Sequence, residues 1–187
     1  MGDRDLVRSV VDWVDREDVT WAKFTLEYPR FTNAALWSEP LKVMFGILKN
    51  TYPKSTVKKH RSRLGIPNLR HITLLGGDTS SGVALHAQGL VEVFDSTDLT
   101  RLYDCMDRSW SSAVNRQRKH QRQSIGAAFD ESKIWVERFD GSAGDYLKYL
   151  TRSEGPDLGF GVEKIVLSAT VLTAPQLGSR KPRLSLR

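Results

Sequence analysis

Leu85-His86-Ala87-Gln88-Gly89-Leu90-Val91-Glu92-Val93 is the stretch on which the reading of the chain turns. Its β-branched residues and its length predict a strand. Side chains alternate between the faces of a strand, so His86 and Gln88 point the same way, roughly 7 Å apart, while Val91 and Val93 use the opposite face. An imidazole nitrogen and an amide oxygen so placed can converge on one cation, and such donors without sulfur suit Mg²⁺ or Mn²⁺. Two neutral ligands hold a hard cation weakly, so a carboxylate is expected beside them. Asp78 is the first candidate and Glu27 the second. Glu92 is a poor one, four residues from Gln88 and so roughly 13 Å along an extended strand. Taken alone, the His-x-Gln pair reads more simply as two solvent-facing strand residues.

Upstream, Arg70 to Leu75 is a second strand, and the Gly-, Ser- and Thr-rich segment from Gly76 to Gly82 turns it into the strand Val83 to Phe94, a predicted hairpin. Thr20 to Tyr28 also alternates, with Trp21, Lys23, Thr25 and Glu27 on one face and Phe24, Leu26 and Tyr28 on the other, until Pro29 stops it. Helical spacing of Leu6, Val7, Val10, Val11 and Val14 predicts a helix from Asp5 to Val14. A longer one, from Asn33 to Tyr52, carries Leu36, Trp37, Leu41, Met44, Phe45 and Leu48, with Pro40 near its start. The segment from Pro53 to Leu69 holds Lys54, Lys58, Lys59, His60, Arg61 and Arg63, and reads as a basic loop or frayed helix.

Downstream, Asp95-Ser96-Thr97 offers caps for a helix through about Val114, with Leu99, Leu102, Tyr103, Met106 and Trp110 at helical intervals. A second basic cluster follows: Arg116, Arg118, Lys119, His120 and Arg122. Ser132 to Phe139 reads as a strand, Gly144 to Arg152 as a helix closed near Gly155-Pro156, and Gly161 to Leu172 as a last β-branched element. A hairpin and further strands separated by helices predict an α+β fold, a mainly antiparallel sheet of ferredoxin-like type with packed helices. The expected organisation is one domain over residues 1–173 and a basic, mobile tail over 174–187.

The second stretch that can carry chemistry is Asp145-Tyr146-Leu147-Lys148-Tyr149-Leu150-Thr151-Arg152. On a helix Tyr149 shares a face with both Tyr146 and Arg152, at three-residue spacing. A tyrosine beside a cation and aimed at a bound metal is what a phosphotyrosine-forming nucleophile needs. Without that context an amphipathic helix with ordinary aromatic packing is the simpler reading.

Three segments agree in order and spacing with one family. Phe24-Thr25-Leu26-Glu27-Tyr28-Pro29, His86-Ala87-Gln88-Gly89 and Lys148-Tyr149-Leu150-Thr151-Arg152 resemble the three motifs of circovirus-like (CRESS-DNA virus type) replication initiators. The resemblance, over roughly residues 20 to 155, implies an HUH endonuclease domain with an RRM-like sandwich. Such a domain nicks single-stranded DNA at a replication origin and rejoins it. Carried over by position, Tyr149 attacks the phosphate, His86 and Gln88 hold Mg²⁺ or Mn²⁺, and Asp78 falls where the family places an acidic ligand. Arg152 stands where the family has Lys; it keeps the charge but cannot donate a proton at neutral pH. Some initiators use two tyrosines four apart, whereas Tyr146 and Tyr149 are three apart, so Tyr146 is expected to pack or stack. No Gly-x-x-x-x-Gly-Lys-Ser/Thr loop occurs, so unwinding is expected from a separate or missing helicase.

Composition fits this reading. The 187 residues hold 28 Lys and Arg against 22 Asp and Glu, a formal charge of +6, which favours nucleic acid over other anionic partners. Lys58, Lys59, Arg61, Arg63, Arg116, Arg118, Lys119 and Arg122 are the expected backbone contacts. Trp37, Trp110 and His120 are candidates to stack on bases, although both tryptophans fall in apolar helical patterns that favour the core. One cysteine, Cys105, and no apolar run near the roughly 18 residues of a membrane span predict an intracellular protein without membrane association. For a eukaryotic virus the expected compartment is the host nucleus, otherwise the cytoplasm. The alternative function is a nucleic-acid-binding module of similar architecture without catalysis.

Overall fold

The computed structural model describes residues 19–28, 35–78, 83–94, 99–120 and 132–151, together with Val10, Val11 and Val14. For 78, 83, 84, 118–120 and 151 the description covers the backbone alone. Arg122, Arg152, the element expected over Gly161 to Leu172 and the basic tail lie outside the described residues.

The strands are β1 (Thr20–Glu27), β2 (His71–Asp78), β3 (Val83–Val93) and β4 (Lys133–Arg138). They form one antiparallel sheet in the order β2-β3-β1-β4. The helices are α1 (Ala35–Thr51) and α2 (Ser55–Leu64) between β1 and β2, α3 (Leu99–His120) between β3 and β4, and α4 (Ala143–Thr151) after β4. The chain is therefore α+β, as the alternation of patterns predicts.

Strict alternation along β1 and β3 sorts the core into two. Ala22, Phe24 and Leu26 of β1 and Ala87, Val91 and Val93 of β3 pack beneath α1 and α3. Trp37 of α1 and Trp110 of α3 are buried there as stacked rings, with centroids 5.7 Å apart, so the core reading of both tryptophans holds. Among the described residues, the opposite face is covered at one end only. Trp21, Ile72, Leu74 and Leu90 meet Ala143 and Leu147 of α4 and the helical residues Val10, Val11 and Val14.

Of the loop and the frayed helix expected over Pro53 to Leu69, the structure has a helix, α2, over Ser55–Leu64. It buries no residue, so no apolar stripe marks it in the sequence. Gly65 closes it in the left-handed conformation (φ 67°), its N–H reaching Ser62 O and that of Ile66 reaching Arg61 O. The helix is tied down by charge. Arg61 forms a two-pronged ion pair with the buried carboxylate of Glu92, with Nη1 2.7 Å from Oε2, and also donates to Pro67 O at 2.8 Å. The Arg70 N–H donates to the same carboxylate, and the Arg61 guanidinium lies 4.7 Å from the Phe94 ring centre. Helix α3 runs past the expected end at Val114 to His120. No described helix is long and apolar enough to cross a membrane.

Removing one partner strands the other charge in the interior, the costlier change. Arg61→Ala is therefore expected to lower stability by about 3 kcal/mol in urea unfolding. The paired replacement Arg61→Met with Glu92→Leu is expected to cost much less, and equal losses from the two would refute this role.

Candidate active site

The open end of the sheet is built by register. Lys23, Thr25 and Glu27 of β1 share a face because they alternate with the buried Phe24 and Leu26. Pairing then lays residues out in rows across four strands. Glu137, Lys23, Leu90 and Ile72 form the first row, and Trp135, Thr25, Gln88 and Leu74 the second. Lys133, Glu27, His86 and Gly76 form the third. Facing side chains in such rows stand roughly 5 Å apart at Cβ, so Glu27 flanks His86 directly.

On the other flank Gly76 leaves a hollow. A Cβ at that position would lie 2.6 Å from His86 Nε2 and 2.8 Å from Gln88 Nε2, so the ends of both side chains converge over the glycine. A half-turn of the Gln88 amide places Oε1 there instead. Gly89 serves a different need, since a Cβ there would meet the Ile72 carbonyl oxygen at 1.9 Å. The close approach of β2 to β3 requires glycine at this point.

Asp78 ends β2, with its Cα paired to Val83 and a register shift between Gly76 and Asp78. Gly77, at φ 90°, supplies the backbone for that irregularity. The two acidic candidates thus come from the two strands that flank β3. Among the described residues no group of three or more His, Cys, Asp and Glu side chains comes together. The set found here counts a glutamine and reaches Asp78 only through its backbone position. One histidine, one amide and one or two carboxylates are a donor set for a hard divalent cation.

Helix α4 lies over the same face. The Asp145 N–H donates to Ser142 Oγ at 3.0 Å, capping the helix, and Ala143 and Leu147 anchor it. Tyr146 and Tyr149 differ sharply. Tyr146 is half-buried, with its ring 5.1 Å from that of Phe139, whereas Tyr149 is 66% exposed. Burial, and then the Glu137 carboxylate and the Tyr149 phenol, raise the pKa of Tyr146 above its ordinary value. Tyr146 is therefore held toward its protonated form and partly withdrawn from solvent, while Tyr149 is accessible. Lys148 is paired with Asp145 at 2.9 Å.

The cationic residues are spread more widely. Lys58, Lys59 and Arg63 line a shallow depression of about 760 Å³ with Ser62 and Asn68, beside the end of β3 that carries Glu92. His86 is six residues away, roughly 20 Å along the strand. Arg61 has its guanidinium engaged by Glu92 and Pro67, so it differs from its neighbours in the cluster. Arg116 is exposed on α3, whose buried residues pack on the opposite face of the sheet from His86. Of Arg118 and Lys119 the structure describes the backbone alone.

Trp135 is the residue that sequence reading missed. It is 44% exposed in the second row, two strands from Gln88. The signal was its place between Ile134 and Val136, both of which pack on the main core. Comparison with protein-family models, with curated proteins and with solved structures found no match for this chain.

Two outcomes follow from this geometry. Gly76→Ala is expected to displace the His86 and Gln88 side-chain ends and weaken Mn²⁺ binding about tenfold in an EPR titration, with the circular dichroism spectrum unchanged. Unaltered affinity would refute the hollow as part of a metal site. For Tyr146 the folded pKa lies above the unfolded one, so its contribution to stability is complete below about pH 10 and is lost as pH rises through the folded value. Between about pH 9 and pH 11 the wild type is expected to lose more stability in urea than Tyr146→Phe does. A parallel decline of the two proteins would contradict it.

Proposed function

We propose that the chain is a metal-dependent single-stranded DNA endonuclease and strand transferase of the HUH type, which initiates rolling-circle replication through a 5′-phosphotyrosine. The carrying observation is the juxtaposition on one sheet face of His86, Gln88 and Glu27, with the helix that carries the exposed Tyr149 packed on the adjoining apolar end of the same face. With the additional helices α2 and α4 set aside, the remaining elements run β-α-β-β-α-β, and this order, the sheet order and the placement of α1 and α3 on one face support a ferredoxin-like, RRM-like sandwich as the scaffold.

His86 and Gln88 would hold Mg²⁺ or Mn²⁺, with charge balance from the carboxylate of Glu27 or of Asp78. When bound, the cation polarises the scissile phosphate. The phenol oxygen of Tyr149 forms a bond to phosphorus as the bond from phosphorus to the 3′ oxygen breaks. The phenol gives up its proton to solvent and the departing 3′ oxygen takes one up, leaving a free 3′-hydroxyl and a 5′-phosphotyrosine. Reversal of the same step reseals the strand. Arg152, three residues after Tyr149, contributes charge toward the phosphate in this reading and no proton. Lys58, Lys59, Arg63, Arg116, Arg118, Lys119 and Arg122 give salt-sensitive affinity for the DNA backbone. Strand separation falls to a helicase outside these 187 residues.

The test is incubation with Mn²⁺ and a pool of fluorescent single-stranded oligonucleotides of random sequence, followed by a denaturing gel. The wild type and Tyr146→Phe are expected to form a slow-migrating covalent adduct and Tyr149→Phe none. Absence of the wild-type adduct, or equal adduct from Tyr149→Phe, refutes the proposal. Glu27→Gln and Asp78→Asn are each expected to raise the Mn²⁺ concentration for half-maximal adduct about tenfold or more.

A further inference from the structure

Trp21, Trp37 and Trp110 are buried, while Trp135 presents nearly half of its surface to solvent. The contrast comes from alternation in β4, where Ile134 and Val136 point to the core beneath α1 and α3. Trp135 is thereby turned onto the face that carries His86 and Gln88. No hydrogen bond or ring contact engages it among the described residues.

Its neighbours on that face are polar or charged, and they include the carboxylates of Glu137, two residues later on the same strand, and Glu27, opposite Lys133. Thr25 stands opposite it, between Trp135 and Gln88. Lys133 lies two residues earlier on the same strand and face, and Lys23 lies diagonally across, in the next row. Lys23 is paired at 3.0 Å with Glu137, but both are exposed, and an exposed pair gives way readily to a phosphate. An accessible aromatic ring between two lysines suits a chain with anionic links and flat, apolar bases. In a duplex the base faces are already covered, so the fitting partner has unpaired bases.

We propose that Trp135 is a stacking platform for an unpaired base of single-stranded DNA, with Lys133 and Lys23 beside the adjoining phosphates. Two strand spacings, roughly 10 Å, separate it from Gln88. The stacked nucleotide is thus close to the one whose phosphate lies at His86 and Gln88. This rests on the reading of the open face as a DNA-cleaving site, and makes Trp135 the residue that positions the strand across it. Stacking is tolerant of base identity, so the platform fixes where the strand lies rather than which sequence it has.

The test is binding without cleavage, in EDTA, of a fluorescent twelve-residue oligothymidine by Tyr149→Phe protein. Adding Trp135→Leu, which keeps an apolar side chain but cannot stack, is expected to weaken binding about tenfold. Adding Trp135→Phe is expected to weaken it by no more than about threefold, since a smaller ring still stacks. A blunt duplex of the same length is expected to bind all three proteins alike. Oligothymidine is also expected to quench tryptophan emission in the Tyr149→Phe protein and to lose most of that quenching in Trp135→Phe, a readout that holds if Trp135→Leu does not fold. Binding by Trp135→Leu within twofold of its parent, or undiminished quenching in Trp135→Phe, overturns the platform. Trp135-dependent binding in a protein whose wild type forms no tyrosine adduct would overturn the chemistry alone, and adduct formation with Trp135-independent binding the platform alone.

Discussion

The register of β1 against β3 is the constraint on which the rest depends. With Thr25 opposite Gln88 and Glu27 opposite His86, every apolar side chain of β1 from Ala22 to Leu26 meets α1 and α3. A slip of one residue would send Phe24 and Leu26 to the open face and drive Lys23, Thr25 and Glu27 into the main core. Burying one charged group without a partner costs several kcal/mol, comparable with the whole stability of a small domain. The same register that protects the core therefore gathers the polar side chains into one site. Gly89 locks the other side of β3, because only glycine lets β2 approach its backbone there.

One face of the sheet thus serves two ends. At the Trp21 end it is apolar and closed by α4 and by Val10, Val11 and Val14. Toward Glu27 and His86 it turns polar, and Trp135 is open to solvent. The transition lies within α4 itself. Ala143 and Leu147 are held on the apolar end, Tyr146 leans on Phe139, and Tyr149 projects outward. Rigid strands, and a helix anchored on the adjoining apolar end, hold these groups in fixed relation. The basic helix α2, tied by Arg61 and Glu92 to the far end of β3, extends the cationic surface away from the site.

Periodicity made most of this fold legible. Alternation in Thr20 to Tyr28 marked β1 and its polar face, and apolar spacing marked α1 and α3. For α2 the sequence left loop and frayed helix open, because a segment that buries nothing has no stripe to read and is held by an ion pair 31 residues distant. The shared face of His86 and Gln88 follows from spacing alone. That Glu27 stands against His86 does not, because β1 and β3 are 55 or more residues apart and their pairing is a property of the whole sheet. The hollow over Gly76 is equally non-local. Trp135 was readable in principle from Lys133-Ile134-Trp135-Val136, but an aromatic residue within a strand suggests core until its neighbours are known to occupy it.

The most direct measurement of whether metal and nucleophile share one site is paramagnetic broadening by Mn²⁺ in an NMR titration of the wild-type protein. Ring signals of Tyr149 and His86 are expected to broaden together at substoichiometric Mn²⁺, ahead of Tyr103, the exposed tyrosine on α3. Broadening of His86 that leaves Tyr149 as sharp as Tyr103 would contradict a common site.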